Sequence, residues 1–107
     1  MPRQTILKQA LTRYSGILLV KDLEEGVSIA NRIAPEHLEI ATAKPFELLG
    51  SIQHAGAIFL GQYTPEPIGD YMGGPNHVLP TNGTARFFSP LSVEDYVKKS
   101  SILSFSA

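Results

Sequence analysis

The sequence predicts an α/β fold: alternating helices and mostly parallel strands, then a long irregular loop and a final helix. Three observations carry this expectation. Apolar residues recur at helical spacing in two early segments. Short apolar runs bounded by turn residues fall between the helical patterns, as buried strands would. The alternation stops after residue 60, where glycine and proline concentrate. At 107 residues the chain is expected to form a single α/β domain.

Leu7, Ala10, Leu11 and Tyr14 share one helical face, which predicts a helix over 3–14. "GILLV" at 16–20 is short, apolar and preceded by Gly16, so a buried strand is expected there. Asp22 and Glu25 have the spacing of a capping box. Leu23, Val27, Ala30 and Ala34 continue as the buried stripe of a second helix. Pro35 lacks an N–H and disfavours helical Ala34, so this helix ends or kinks there. "HLEIAT" at 37–42 reads as a short strand. In "KPFELLGSI" at 44–52, Pro45 lies near a helix start and Gly50 near its end. "GAIFLG" at 56–61 is a further strand. The expected order is therefore α-β-α-β-α-β, the pattern of a mostly parallel layer.

Residues 61–92 hold five of the eight prolines and five of the nine glycines, with only a brief helical pattern at 66–72. A long irregular stretch in a compact domain is usually functional or disordered. Ile68, Tyr71, Val78, Leu79, Phe87 and Phe88 argue against disorder, because they favour burial. Asn82-Gly83-Thr84 matches a glycosylation acceptor but reads as a turn. A final helix is expected over 92–102, with Ser92 as N-cap and Asp95 three residues on.

Composition narrows the function classes. Nine basic and ten acidic residues give a net charge of -1, and only Lys98 and Lys99 are adjacent cations. Neither nucleic acid nor an anionic membrane is an expected partner. Without cysteine, any metal must use His, carboxylate or amide ligands. The apolar runs are too short to span a bilayer, and "MPRQTILKQA" lacks the apolar core of a signal peptide, so a cytoplasmic location is expected.

The chemistry-bearing residues lie in "PEHLE", "PEPIGDYMGG" and "GPNHVLPT". Histidine exchanges protons near neutral pH, and a carboxylate activates water or holds a cation. Each residue also has an ordinary reading. Glu36 suits a solvated helix end, His37 a half-buried imidazole bonded to backbone, and Asp70 a turn or cap. Glu66 between prolines suits plain exposure. His77, amid Gly, Pro and Asn, has no helical or strand pattern to explain it, and His54 has no nearby carboxylate. The residues alone leave these alternatives open.

"NRIAPEHLEI", "GAIFLG", "GDYMGGPNHVLPT" and "ARFFSPLSVEDYVKKSSI", in this order, closely resemble the carboxy-terminal half of histidinol dehydrogenases. The resemblance runs through most of residues 15–105. It implies an incomplete Rossmann-like layer, aldehyde-dehydrogenase-like, with 61–92 as an active-site loop. It implies oxidation of L-histidinol through the aldehyde to L-histidine, with NAD and zinc. By the same resemblance Glu36 is the water activator and His37 the general base, also touching substrate. Asp70 binds zinc and substrate, while Glu66 and His77 line the substrate site. No residue of this chain is implied in NAD binding.

The chain is much shorter than a full family member. Measured against the family it lacks the NAD-binding region, most zinc ligands and the partner subunit of the homodimer. One carboxylate cannot complete a tetrahedral zinc site, so a fragment, inactive alone, is expected. Two rival readings are a non-catalytic α/β module that binds a small ligand or a partner, and a zinc hydrolase with Glu36 as base. One geometric question follows. In a parallel sheet "PEHLE" lies at the amino edge, whereas the loop after "GAIFLG" leaves from the carboxy edge. Sixteen residues separate Gly61 from His77, enough at about 3.3–3.6 Å per residue to cross back; otherwise one strand runs antiparallel or the site is assembled between subunits.

Overall fold

The computed structural model describes residues 2–107. The order is α1 (Gln4–Arg13), α2 (Leu23–Ile33), β1 (His37–Ile40), α3 (Pro45–Leu49), β2 (Ala57–Leu60) and α4 (Glu66–Tyr71). Single 3-10 turns follow at Thr84–Arg86 and Val93–Tyr96. The two strands pair in parallel, with His37 opposite Ala57 and Ile40 opposite Leu60. The α/β class is as expected, and the helix and strand boundaries from Leu23 to Leu60 fall close to those read from the sequence.

Local chemistry explains α2 and β1. The Asp22 carboxylate accepts from the Glu25 N–H at 2.8 Å, satisfying one orphan donor of the first turn. Glu25 reaches back to the Lys21 N–H, also at 2.8 Å, one residue beyond a standard capping box. Pro35 stops the helix at its carboxy end. Ala34 takes the left-handed conformation (φ 52°) and is 0% exposed. The chain then enters the ladder at once: Gly56 N–H donates to the Pro35 carbonyl at 2.9 Å and Ala57 N–H to the Glu36 carbonyl at 2.8 Å.

Side chains alternate across the strands. The register places His37, Glu39, Ala57 and Phe59 on one face of the sheet and Leu38, Ile40, Ile58 and Leu60 on the other. Val27 and Ala30 of α2, Leu48 of α3, and Leu38 and Ile40 of β1 line one apolar groove of about 200 Å³ on that second face. On the first face α4 returns over the sheet. Its Gly69 lies so close to Phe59 that a Cβ there would meet the ring at 2.6 Å.

Two expected elements do not form. Residues 16–20 are irregular, with Ile17 93% and Leu19 97% exposed. A strand needs a neighbouring edge for its N–H and C=O groups, and β1 and β2 pair only with each other among the described residues. The final helix is reduced to the Val93–Tyr96 turn. Ser92 and Asp95 do form the capping box, but one turn with no face to bury does not propagate, and Ile102 and Phe105 stay exposed. The observed order is thus α-α-β-α-β-α rather than strict alternation.

Candidate active site

The loop after β2 crosses back as a helix. Gly61, with φ 85°, turns the chain out of β2, and Pro65 leads into α4. The Glu66 N–H, an orphan donor of the first turn, is taken by the Glu39 carboxylate of β1 at 2.9 Å. Gly69 then lets the helix settle onto the Phe59 ring. These two contacts fix α4 against the strand face that carries His37. Glu66 and Asp70, one turn apart, share a helix face and both point to the imidazole. The Nε2 atom of His37 is 3.7 Å from Glu66 Oε1 and 3.9 Å from Asp70 Oδ1.

All three residues are half-buried, and their ligand atoms lie within 4.8 Å of one another. The imidazole leans against Phe59, with ring centroids 6.0 Å apart. Its Nε2 is enclosed yet has no hydrogen-bond partner among the described residues. That nitrogen therefore has an unmet requirement: a proton shared with the carboxylates, a metal, or a substrate hydroxyl. Glu66 holds its proton more tightly than an ordinary carboxylate. A hydrogen bond with Asp70 is the main cause, followed by partial burial and the negative charges of Asp70 and Glu39, while His37 opposes the shift.

One nitrogen and two carboxylate donors suit zinc chemically. Tetrahedral zinc, with bonds of about 2.0–2.2 Å, sets its ligand atoms roughly 3.3–3.6 Å apart. The two His37 separations are only a few tenths of an ångström wider. These donors, Asp70 among them, are of a chemistry that suits the ion, and a four-coordinate site would need ligands from beyond the cluster.

Glu36 and His77 do not join this cluster. Glu36 is half-buried, precedes β1 and already gives its carbonyl to the ladder. It sits on the bend between Pro35 and the start of β1. His77 is exposed in the segment beyond α4. Sequence reasoning missed three supporting residues: Glu39, Phe59 and Gly69. Two had readable signals. Glu39 is two residues beyond His37, hence on the same strand face, and Gly69 interrupts an otherwise helical pattern, which signals close packing.

A family model described as histidinol dehydrogenase matches residues 1–107. The histidinol dehydrogenase of Heliobacterium mobile is 58% identical over 106 residues, covering 99% of this chain and 25% of that protein. That of Sulfurimonas denitrificans is 59% identical over 107 residues, covering 100% of this chain and 25% of its own length. The crystal structure of histidinol dehydrogenase from Elizabethkingia anophelis superposes with a TM-score of 0.80 at 41% identity, over 88% of this chain and 22% of that one. The chain thus spans about a quarter of the length of the curated relatives it matches. A match of this identity along the whole chain settles its kinship: the chain belongs to the histidinol dehydrogenase family.

Proposed function

We propose that this chain supplies the acid/base side of an active site that oxidises L-histidinol through the aldehyde to L-histidine, using two NAD. The observation that carries this reading is the convergence of His37 Nε2 with Glu66 and Asp70. An alcohol gives up hydride only as its hydroxyl proton leaves, so a base must stand beside it. His37 takes that proton in the first step while the carbon's hydride passes to NAD, forming the aldehyde. Glu36 then takes a proton from the water that adds to the aldehyde, while the His37 imidazolium returns its proton to the aldehyde oxygen, which forms the hydrate and leaves the imidazole neutral again. His37 accepts the hydroxyl proton of the resulting hydrate as a second hydride leaves, and the acid forms. Asp70 and Glu66 hold the imidazolium produced at each step, and with His77 they orient the substrate. Asp70 is the zinc ligand, and zinc when bound anchors and orients the substrate rather than activating the reacting carbon.

The two-stranded sheet is, in this reading, part of a larger Rossmann-like, aldehyde-dehydrogenase-like layer. The 107 residues are one α/β domain of a larger cytoplasmic enzyme that acts as a homodimer, with 61–92 as its active-site loop. No described helix is long and apolar enough to cross a membrane. NAD is held outside the residues assigned here. The test is His37→Asn in the full-length enzyme carrying this chain. Loss of NADH formation by about 10²–10⁴-fold with zinc content retained is the expected result, and undiminished turnover overturns the assignment.

A further inference from the structure

We propose that Arg86 is a positioning residue for His37, acting by clamping the end of α2 from which β1 departs. Its guanidinium donates through one nitrogen to the Arg32 carbonyl and through the other to the Gly83 carbonyl, the latter at 2.8 Å. Arg32 lies in the last turn of α2, where carbonyls lack helical partners and the dipole favours a cation. The chain from there to His37 is a single tight turn: Ile33, left-handed Ala34, Pro35 and Glu36.

Everything around that turn is built for close approach. On one side, a Cβ at Gly56 would stand 2.5 Å from the Glu36 carbonyl oxygen and 3.2 Å from Pro80. On the other, residues 81–86 dock against α2. Thr84 N–H donates to the Thr81 carbonyl at 3.0 Å across Asn82 (φ 53°) and Gly83 (φ 78°), the arrangement of a type I′ turn. A Cβ at Gly83 would run into the Arg86 guanidinium and lie 3.6 Å from the Ile33 carbonyl. Asn31 ties the same end of α2 to the segment before β2, accepting from the Gln53 N–H at 2.7 Å and donating to the Ser51 carbonyl at 2.9 Å. Asn31 sets the helix against β2. Arg86 sets the helix end from which β1 starts, and so where the imidazole stands relative to Glu66 and Asp70. Arg86 is outside the His37–Glu66–Asp70 cluster, so it acts through the backbone.

This inference rests on His37 being the proton acceptor. The test uses the full-length, zinc-loaded enzyme with Arg86→Ala, Arg86→Lys and, in parallel, His37→Asn. A misplaced base is expected to lower kcat of Arg86→Ala about 10–100-fold. KM for NAD and zinc content stay unchanged, and millimolar guanidinium restores part of the rate. Lysine makes one of the two bonds, so Arg86→Lys falls between parent and alanine variant. A folded Arg86→Ala enzyme with parental kcat and only a lower thermal midpoint overturns the proposal, leaving Arg86 purely structural. If the alanine variant does not fold, the lysine variant decides: reduced kcat supports the clamp, and parental kcat overturns it. Undiminished turnover in His37→Asn instead overturns the underlying assignment, whatever Arg86 does.

Discussion

At the residue scale the site is an imidazole facing two carboxylates of one helix face. Glu66 keeps its proton to higher pH than an ordinary carboxylate, chiefly through its hydrogen bond with Asp70. A raised folded-state value means that protonation favours the folded form. The contribution is full below the ordinary carboxylate range and is lost as pH rises through the raised value. In metal-free protein, Glu66→Gln is therefore expected to flatten the fall in urea midpoint as pH rises above the ordinary carboxylate range, a change read by circular dichroism. Asp70→Asn removes a charged ligand and is expected to lower the zinc content of the full-length enzyme after dialysis, with the fold retained. "PEHLE", "PEPIGDYMGG" and "GPNHVLPT" made His37, Asp70 and His77 visible in the sequence. What was not visible was that His37 pairs with Glu66 and Asp70 rather than with its neighbour Glu36, because that depends on which residue enters the ladder first.

At the element scale α4 positions the site. It has only six residues and depends on two contacts, Glu39 at its start and Phe59 beneath Gly69. Gly69→Ala places a methyl group against the Phe59 ring. It is expected to cost about 1–3 kcal/mol as an overpacking change and to lower turnover, because α4 must lift and carry both carboxylates with it. Asp22→Ala removes the cap of α2 and is expected to cost about 1 kcal/mol without a comparable loss of turnover. Chemical denaturation and NADH formation together separate the two effects. The Asp22 cap, the Pro35 stop, the Pro45 start and both ladder strands were legible because each is set by local chemistry. "GILLV" and residues 97–102 were misread for one reason: a strand and a long helix need a partner surface, which local sequence does not display.

At the scale of the whole molecule, apolar surface is plentiful and burial sparse. Ala34, Ile40, Phe59 and Ala85 are the only buried hydrophobic residues among those described, while Ile17, Leu19, Ile102 and Phe105 are each over 90% exposed. The radius of gyration is 18.5 Å, against about 13 Å for a compact domain of this length. A chain with so small a core is expected to unfold in a broad, shallow transition when isolated. It is also expected to bind zinc weakly, since Asp70 alone among its residues is assigned as a ligand. Tight stoichiometric zinc binding by the isolated chain would instead favour a closed His37–Glu66–Asp70 metal site. The central claim is that these residues perform the proton chemistry of histidinol oxidation but do not suffice for it. It is tested most directly by NADH formation from L-histidinol, NAD and zinc, measured for the 107-residue chain alone, for the full-length enzyme carrying it, and for that enzyme with His37→Asn. The account predicts turnover in the full-length enzyme only. Turnover by the isolated chain, or undiminished turnover by the His37→Asn enzyme, would contradict it.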